Sequence, residues 1–275
     1  MVLGKAESHR TDASGFTLVE LLVVVSVISL IMAIILPSIA SGRRQGQRVA
    51  CLSNLRNLTQ GWMMYAMDSD DKLCSARTDW DVPPENHWVA DGPYIPTNTL
   101  GGTGEAIRNG VLWPHVSKTL EVYKCKGDRS ERLRSYALAE SMNGRMLDTP
   151  SDPQYRRLGD IKPAGQRMVF LDAECRTPWI VGAFPLPRMD FGRRYMGWLV
   201  NTSHTITARH SDGCNVSFAD GHCEYVKYRD PRTTALAEGG EGTEGGLDNV
   251  DIQRFLEWVP RCKFVEADPN NKETE

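Results

Sequence analysis

The sequence predicts an α+β fold in which one long N-terminal helix packs on an antiparallel β-sheet with long loops. Three observations predict it: an apolar segment of helix length after Gly15, an amphipathic pattern that continues this segment, and two Asp-Gly pairs that flank alternating residues near the C-terminus. The chain has 275 residues and a net charge of −3. Without the N-terminal segment, about 240 residues remain, which is enough for one soluble domain.

The first element is the apolar run from Phe16 to Leu36, which contains no Lys, Arg or Asp and one carboxylate, Glu20. As an α-helix, its 21 residues would extend about 31 Å, which matches the hydrocarbon thickness of a bilayer. The run is longer than the apolar core of a secretory signal peptide. We therefore expect a membrane-spanning helix, and we treat Glu20 as a candidate functional residue because a carboxylate is costly in hydrocarbon.

The helical pattern continues beyond Pro37, where we expect a kink. Apolar residues recur at three- and four-residue steps, which is typical of an amphipathic helix: Val49, Leu52, Leu55, Leu58, Trp62 and Tyr65. The pattern predicts one helix over residues 16–67, of which about 16–36 span the membrane. Its second half should pack on the soluble part of the chain; a coiled-coil surface is the alternative.

The middle of the chain combines a loop with short apolar runs. Turn-forming residues crowd positions 78–104, and the aromatic residues Trp80 and Trp88 should attach this loop to the core. Carbohydrate binding by these aromatics is the alternative. Four apolar runs between turn formers predict strands of an antiparallel sheet: 110–115, 122–125, 135–138 and 168–172.

Residues 205–226 contain Asp-Gly pairs at 212–213 and 220–221, each typical of a two-residue hairpin turn. They predict a three-stranded meander in which Ser217 lies opposite Ala208 and Glu224. One face should enter the core with Cys214, Val216, Phe218, Cys223 and Tyr225. The other should face solvent with His210, Asn215, Ser217, His222 and Glu224.

Three segments complete the C-terminal part of the chain. Residues 233–246 are rich in glycine and glutamate and predict a mobile loop. Residues 248–259 predict a short helix that buries Ile252, Phe255, Leu256 and Val259. We accordingly expect the helix at 16–67, a soluble head at 68–265 and a polar tail at 266–275.

Histidine, aspartate and cysteine residues near the meander are of the types that bind metals. However, the chain contains no Cys-x-x-Cys or His-Glu-x-x-His spacing, and the Asp-Gly pairs are explained as turns. We therefore predict no metal, no cofactor and no enzymatic activity, and metal or ligand binding is the alternative. The chain has seven cysteines, so at least one lacks an intramolecular partner, and their connectivity does not follow from the sequence.

The residues Gly15-Phe16-Thr17-Leu18-Val19-Glu20 resemble the processing site of type IV prepilins and type II secretion pseudopilins. The resemblance implies that residues 1–15 are a leader and that a prepilin peptidase/methyltransferase cleaves after Gly15 on the cytoplasmic side. Phe16 then becomes the N-methylated first residue of the mature chain. The resemblance also implies that Glu20 of one subunit neutralises the Phe16 amine of a neighbour in a filament.

Nine residues separate His210 from Asp220-Gly221, and this spacing resembles the His–nine–Asp-Gly signature of a subfamily of large prepilin-like proteins. The segments around Cys51 and Cys125 are further landmarks of that subfamily. The chain departs from its pattern at Lys126, where the subfamily commonly has proline. The resemblance marks His210, Asp220 and Gly221 as a structural motif.

These resemblances imply a pilin-like fold and a structural subunit of a type IV pilus or a type II secretion-like system. The partners would be the processing enzyme and other pilin or pseudopilin subunits. The protein would cross the inner membrane once with its head outside the cytoplasm, then enter a periplasmic or cell-surface filament. Arg43, Arg44 and Arg48 oppose this topology by the positive-inside rule.

Two further expectations concern partners. The arginines are scattered rather than clustered, so we expect no nucleic acid. The alternative function is a surface-displayed ligand- or metal-binding module that uses the pilin export route, with Trp80 and Trp88 as contacts.

Overall fold

The computed structural model describes residues 16–76, 86–90, 104–143, 154–175, 183–184, 204–238 and 248–258. The predicted leader and the predicted polar tail lie outside these residues. The chain divides into two compact units, residues 1–43 and residues 44–275. Its α-helices are α1 (Leu18–Asp68), α2 (Gly104–Asn109), α3 (Pro231–Ala237) and α4 (Val250–Glu257).

In the first unit, α1 leaves its apolar side chains unburied. The exposed fraction is 81% for Leu18 and 67% for Ile34. The hydroxyls of Ser26 and Ser29 donate hydrogen bonds to the backbone carbonyls four residues before them, each at 2.7 Å. Among the described residues, α1 is the one helix that is long and apolar enough to cross a membrane.

In the second unit, α1 buries one face, which confirms the predicted amphipathic half. The buried residues follow helical spacing: Cys51, Leu55, Leu58, Thr59, Gly61, Trp62 and Ala66. This stripe is rotated slightly from the predicted one, because Val49 is 57% exposed. The helix ends at Asp68, one residue beyond the predicted end.

The head is built on a mixed sheet with the order β3-β1-β2-β5-β6, and β4 also pairs with β2. Strands β1, β2, β5 and β6 are antiparallel neighbours, whereas β3 is parallel to β1. The strands are β1 (Tyr136–Ala139), β2 (Met168–Cys175), β3 (Ala183–Phe184), β4 (His204–Ile206), β5 (Gly213–Phe218) and β6 (Cys223–Lys227). The antiparallel sheet and the long helix confirm the predicted α+β, pilin-like architecture.

The predicted three-stranded meander is wrong in its first strand. Strand β4 pairs with the end of β2 at Ala173–Cys175, while β5 pairs with the beginning of the same strand. Residues 207–212 therefore form a connection beside β2 instead of a strand beside β5. The arginine of this connection, Arg209, contacts Asp172 on β2 with its guanidinium (2.8 Å), and that contact replaces strand pairing.

The hairpin between β5 and β6 exists, but its register differs by one residue from the prediction. Ser217 lies opposite Cys223. The loop contains three residues instead of two, because the N–H of Gly221 donates to the Phe218 carbonyl (2.9 Å) and Gly221 has φ +91°. This is the turn in which a glycine in the left-handed region follows a type I turn.

Both faces of β5 are buried, contrary to the prediction that one faces solvent. The exposed fraction of Asn215 and of Ser217 is 0%. The Ser217 hydroxyl is hydrogen-bonded to the Thr59 hydroxyl of α1 (2.7 Å), and it also accepts the N–H of Phe170 (3.1 Å). The second half of α1 therefore covers the face that sequence alternation assigned to solvent.

Two of the four predicted middle strands are 3₁₀ helices, Trp113–His115 and Leu120–Tyr123. Proline in the first turn favours the first of these, and the Thr119 hydroxyl caps the second by accepting the Glu121 N–H (3.3 Å). The other two runs correspond to β1 and β2. Trp88 is fully buried against Phe170 (ring centroids 5.3 Å apart), which confirms its predicted role in the core, whereas Trp80 lies outside the described residues.

The C-terminal helices partly match the prediction. Helix α4 occurs where it was expected and buries Ile252 and Phe255. Helix α3 occupies the beginning of the predicted loop, because the Asp230 carboxylate caps it by accepting the Arg232 N–H (2.9 Å).

Substitutions at Gly221 test the turn. Gly221→Val should lower the free energy of unfolding by about 1–2 kcal/mol, since a β-branched residue disfavours positive φ. Gly221→Asn should cost less, because asparagine tolerates that region. Urea titration of the full chain in detergent, followed by tryptophan fluorescence, measures both. Equal losses would instead implicate contact with Met63, whose sulfur lies 3.7 Å from an added Cβ.

Candidate functional site

The start of α1 is a reciprocal cap between Thr17 and Glu20. The Thr17 hydroxyl accepts the Glu20 N–H (3.2 Å), and the Glu20 Oε2 atom accepts both the N–H (2.9 Å) and the hydroxyl (2.7 Å) of Thr17. This arrangement is a capping box, which satisfies two unpaired donors at a helix N-terminus. Gly15 lies outside the described residues, and Phe16 is 71% exposed.

The capping box gives Glu20 a role in the isolated chain. Its carboxylate lies in the first turn of α1, where the helix dipole favours negative charge. Reasoning from the sequence weighed only the cost of the charge and missed this contact, although the Thr-x-x-Glu spacing is a sufficient signal for it.

A second group of functional candidates lies in the head around His210. This histidine was predicted on an exposed sheet face, but its exposed fraction is 1%. It lies in the turn before β5, and its Nε2 atom is 3.1 Å from the Cys125 sulfur and 3.2 Å from Asp172 Oδ2. Its single Nε2 proton can therefore be directed at only one of these acceptors at a time.

The sulfurs of Cys51 and Cys125 meet beside this histidine, 2.8 Å apart. Cys51 belongs to α1, and Cys125 follows the 3₁₀ helix at 120–123. Each sulfur accepts a backbone N–H: Lys126 donates to Cys51 (3.1 Å) and Gly127 donates to Cys125 (3.3 Å). Both cysteines are buried.

A buried ion-pair network supports the histidine from the other side. The Arg209 guanidinium contacts the carboxylates of Asp172 (2.8 Å) and Asp128 (3.3 Å), and the Ser135 hydroxyl donates to Asp128 (2.7 Å). Burial raises the pKa of Asp128, but the Arg209 charge and the hydrogen bonds outweigh burial and hold that pKa below its usual range. Asp172, whose exposed fraction is 0%, is thus a buried carboxylate with two cationic partners available.

The pKa values of this cluster are displaced in opposite directions. Burial alone would lower the pKa of His210, but its contacts with Asp172 and with the Cys51 thiol raise it to about 9. For the two thiols, the contact with Cys125 lowers the pKa of Cys51 to about 5, while the same contact and burial raise the pKa of Cys125. As free thiols, the two cysteines would therefore titrate as a coupled pair, in which the first proton is lost more easily than the second.

The Asp-Gly pair of the predicted motif occupies the opposite end of β5 from His210. The Asp220 carboxylate accepts the His222 N–H (3.0 Å) and contacts the His222 ring. Burial opposes ionisation of Asp220, but the hydrogen bonds from His222 lower its pKa overall. The nine intervening residues thus contain β5, with one anchor in the core and one at the turn.

Among the described residues, one cluster has metal-ligand types within reach of a common ion: the ligand atoms of Cys51, Cys125 and His210 lie within 4.8 Å of one another. The sequence hypothesis of a zinc site had grouped His210 with other residues of the segment. The structure separates His222 and Asp220 from it, because both are exposed at the hairpin turn. The side chain of His204 lies outside the described residues.

The family match found by comparison with known proteins falls on the first candidate site, the start of α1. Residues 10–36 match the family described as "Prokaryotic N-terminal methylation motif". The chain is also similar to the "Type II secretion system core protein G" of Klebsiella michiganensis, with 24% identity over 111 residues, 37% of this chain and 78% of that protein. No solved structure matches the chain. The motif and the similarity together suggest a pilin-like subunit.

The pKa of His210 predicts a pH dependence of stability. While Cys51 and Cys125 are free thiols, the pKa of His210 is raised from 6.5 to about 9 in the folded head, so in the reduced protein this stabilisation is fully present below pH 6.5 and is lost as pH rises to about 9. The free energy of unfolding should therefore fall by on the order of 3 kcal/mol over this range. His210→Gln should remove the part of this decrease in unfolding free energy that is due to His210, as measured by urea titration at several pH values.

The exposed His222 provides the matched control for that experiment. All other titrating groups are shared, so the difference between the wild type and each variant isolates one histidine. His222→Gln should keep the wild-type pH dependence. If His222→Gln rather than His210→Gln removes it, the assignment to the buried cluster is wrong.

Proposed function

We propose that this protein is a pilin-like structural subunit of a type IV pilus or a type II secretion-like filament. A single observation carries the proposal: the N-terminal methylation motif, residues 10–36, coincides with the exposed apolar beginning of α1. A helix that leaves large apolar side chains unburied requires either lipid or neighbouring apolar helices. A filament subunit uses both, first in the membrane and then in the filament.

Under this proposal, the chain is anchored in the inner membrane by α1 and carries its head outside the cytoplasm. The arginines after the apolar run oppose this orientation by charge count. However, Arg48 is engaged by the head, since its guanidinium lies 4.4 Å from the Tyr225 ring centroid and its carbonyl accepts from Asn215 (3.4 Å). An arginine bound to the folded head contributes to that fold, and this reduces its weight as a topology signal.

Processing by a prepilin peptidase would cut after Gly15 and leave a new amine on Phe16. Glu20 would then be the fifth residue of the mature chain. In the isolated subunit, its Oε2 atom is held by Thr17 of the same chain. In a filament, we propose that the carboxylate pairs with the Phe16 amine of a neighbour, because opposite charges attract more strongly in a low dielectric than in water.

The alternative function is a surface-displayed ligand- or metal-binding module, and the one described cluster that bears on it is the buried group of Cys51, Cys125 and His210. One of its two predicted contacts, Trp88, is fully buried, and Trp80 lies outside the described residues. We therefore propose the filament subunit alone.

The first test is the chemistry of the N-terminus. The mature chain, purified from membranes of its native host, should begin with N-methyl-phenylalanine at Phe16, because cleavage and methylation follow one another on the same amine. Edman degradation together with intact mass measures this. A chain that retains Met1 would contradict the proposed processing.

The second test is the charge of Glu20. Glu20→Leu should be processed normally, but it should lower the amount of subunit in sheared filaments by at least about tenfold. The reason is that the Phe16 amine of the neighbouring subunit would be left unpaired in hydrocarbon, which costs more than about 1.4 kcal/mol. Immunoblots of filament and membrane fractions measure both effects.

Thr17→Val is the matched control for Glu20→Leu. It removes the two capping hydrogen bonds of the Thr17 hydroxyl and leaves the Glu20 carboxylate in place, where it still accepts the Thr17 N–H. Thr17→Val should therefore assemble nearly as the wild type does. If both variants assemble equally poorly, the capping box rather than the charge is responsible, and if Glu20→Leu assembles normally, the proposed role of Glu20 fails.

A further inference from the structure

We propose that Cys51 and Cys125 are joined by a disulfide bond in the exported protein. The proposal rests on the proposed function in one respect, because disulfides form and persist outside the reducing cytoplasm. It assigns one of the disulfide pairings that the sequence, with its seven cysteines, does not determine.

The position of the two sulfurs carries the proposal. They are 2.8 Å apart, which is closer than the roughly 3.5–4.0 Å that separates non-bonded carbon atoms in contact, although sulfur is the larger atom. Two unlinked thiols would need to move apart, whereas bonded sulfurs approach each other further. The surrounding site is buried, so there is little room for the two sulfurs to move apart.

The backbone around both cysteines is held independently of the sulfurs. Asn54, one turn after Cys51 on α1, donates from its Nδ2 atom to the carbonyls of Glu121 and Lys124, both at 3.0 Å. The N–H of Lys126 also donates to the Cys51 sulfur. These contacts fasten the 121–126 segment to α1 on both sides of Cys125, so the approach of the two cysteines follows from the fold of both segments.

The three other cysteines whose side chains the structure describes, Cys74, Cys214 and Cys223, do not compete for this pairing. Among the cysteines whose side chains the structure describes, Cys51 and Cys125 are the pair whose sulfurs are in contact. Cys214 faces Val226 in the sheet register, and Cys223 faces Ser217. Cys74 is buried, and burial raises the pKa of its thiol.

A zinc ion fits the same cluster less well than a disulfide. Zinc holds each thiolate at about 2.3 Å, so a tetrahedral site would separate the two sulfurs by about 3.8 Å. The described cluster supplies three ligands, and the nearby Asp172 carboxylate is already engaged by Arg209. A disulfide needs neither the separation nor a fourth ligand, and it leaves the His210 N–H to Asp172.

The bond forms by exchange with an oxidant that itself contains a disulfide, such as a thioredoxin-like dithiol oxidase. The thiolate of one cysteine attacks the oxidant and forms a mixed disulfide, which releases one oxidant thiolate. The thiolate of the second cysteine then attacks the first cysteine sulfur and releases the other oxidant thiolate. Overall, the two cysteines lose two protons and two electrons, and the oxidant becomes a dithiol.

Because both sulfurs are buried in the finished head, this exchange precedes final packing. The bond then closes a loop between positions 74 residues apart, and it ties α1 to the segment that leads into the sheet. Loops of this length lose considerable freedom in the unfolded chain when they are closed.

The test uses full-length protein from membranes of its native host, denatured in iodoacetamide without a reductant and then digested with trypsin. We expect residues 49–56 linked to residues 125–126, two hydrogen atoms lighter than the sum of the reduced peptides. Cys51→Ser should make Cys125 fully alkylatable, and Cys125→Ser should do the same for Cys51. These readouts are taken on denatured protein, so they do not depend on the folding of the variants.

Cys223→Ser is the matched control and should leave the linked peptide unchanged. Full alkylation of both Cys51 and Cys125 in the wild type would overturn the proposal. Stoichiometric zinc together with full alkylation after chelation would overturn it in favour of a metal site.

The Phe16 N-terminus is measured in the same samples. A methylated Phe16 with two alkylated cysteines refutes the disulfide alone. A linked peptide in a chain that still begins at Met1 supports the disulfide and refutes the proposed processing.

Discussion

The packing of the second half of α1 against the sheet is the interaction on which the rest of the head depends. It buries the face of β5 that would otherwise meet water, and it does so with polar as well as apolar partners. The Thr59 and Ser217 hydroxyls pair at 2.7 Å, and Ser217 also satisfies the N–H of Phe170 where the register of β2 and β5 shifts. Removing the helix would leave these buried polar groups without partners, which costs more than the bonds themselves contribute.

The two halves of α1 differ in side-chain polarity, so each half is matched to a different environment. From Leu21 to Leu36 its side chains are apolar except for Ser26 and Ser29, whose hydroxyls are hydrogen-bonded to the helix backbone, so this part is matched to hydrocarbon. From Cys51 onward it is apolar on one stripe and polar elsewhere, so it is matched to a protein core on one side and water on the other. The capping box at Thr17 and Glu20 begins this helix, and it satisfies donors that hydrocarbon could not.

The buried charges around Asp172 explain how the His–nine–Asp-Gly spacing becomes a structure. Arg209 neutralises Asp172 and fixes the connection that precedes β5, which brings His210 into the core. Asp220 and Gly221 then reverse the chain at the other end of the strand. The spacing therefore corresponds to the length of one strand, with His210 held at one end and the Asp220-Gly221 turn at the other. This structural role explains the motif without any catalytic role for its residues.

The sequence by itself determined the features that depend on neighbouring residues. These are the two-part helix, the apolar membrane segment, the strands at β1 and β2, the β5–β6 hairpin and the short helix α4. Each rests on periodicity, capping or turn chemistry within a few residues, and such interactions are visible in a linear pattern. The one-residue error in the hairpin register arose because a three-residue loop and a two-residue loop share the same Asp-Gly pair.

Contacts between distant parts of the chain follow from the tertiary fold alone. The contact of Cys51 with Cys125 joins positions 74 residues apart, and the contact of Cys125 with His210 joins positions 85 residues apart. No local pattern encodes such distances. The burial of His210 likewise depends on a carboxylate on another strand, and the burial of Ser217 depends on a helix far away in the chain. Alternation predicted solvent at both positions because it describes one strand, whereas burial depends on everything that packs against it.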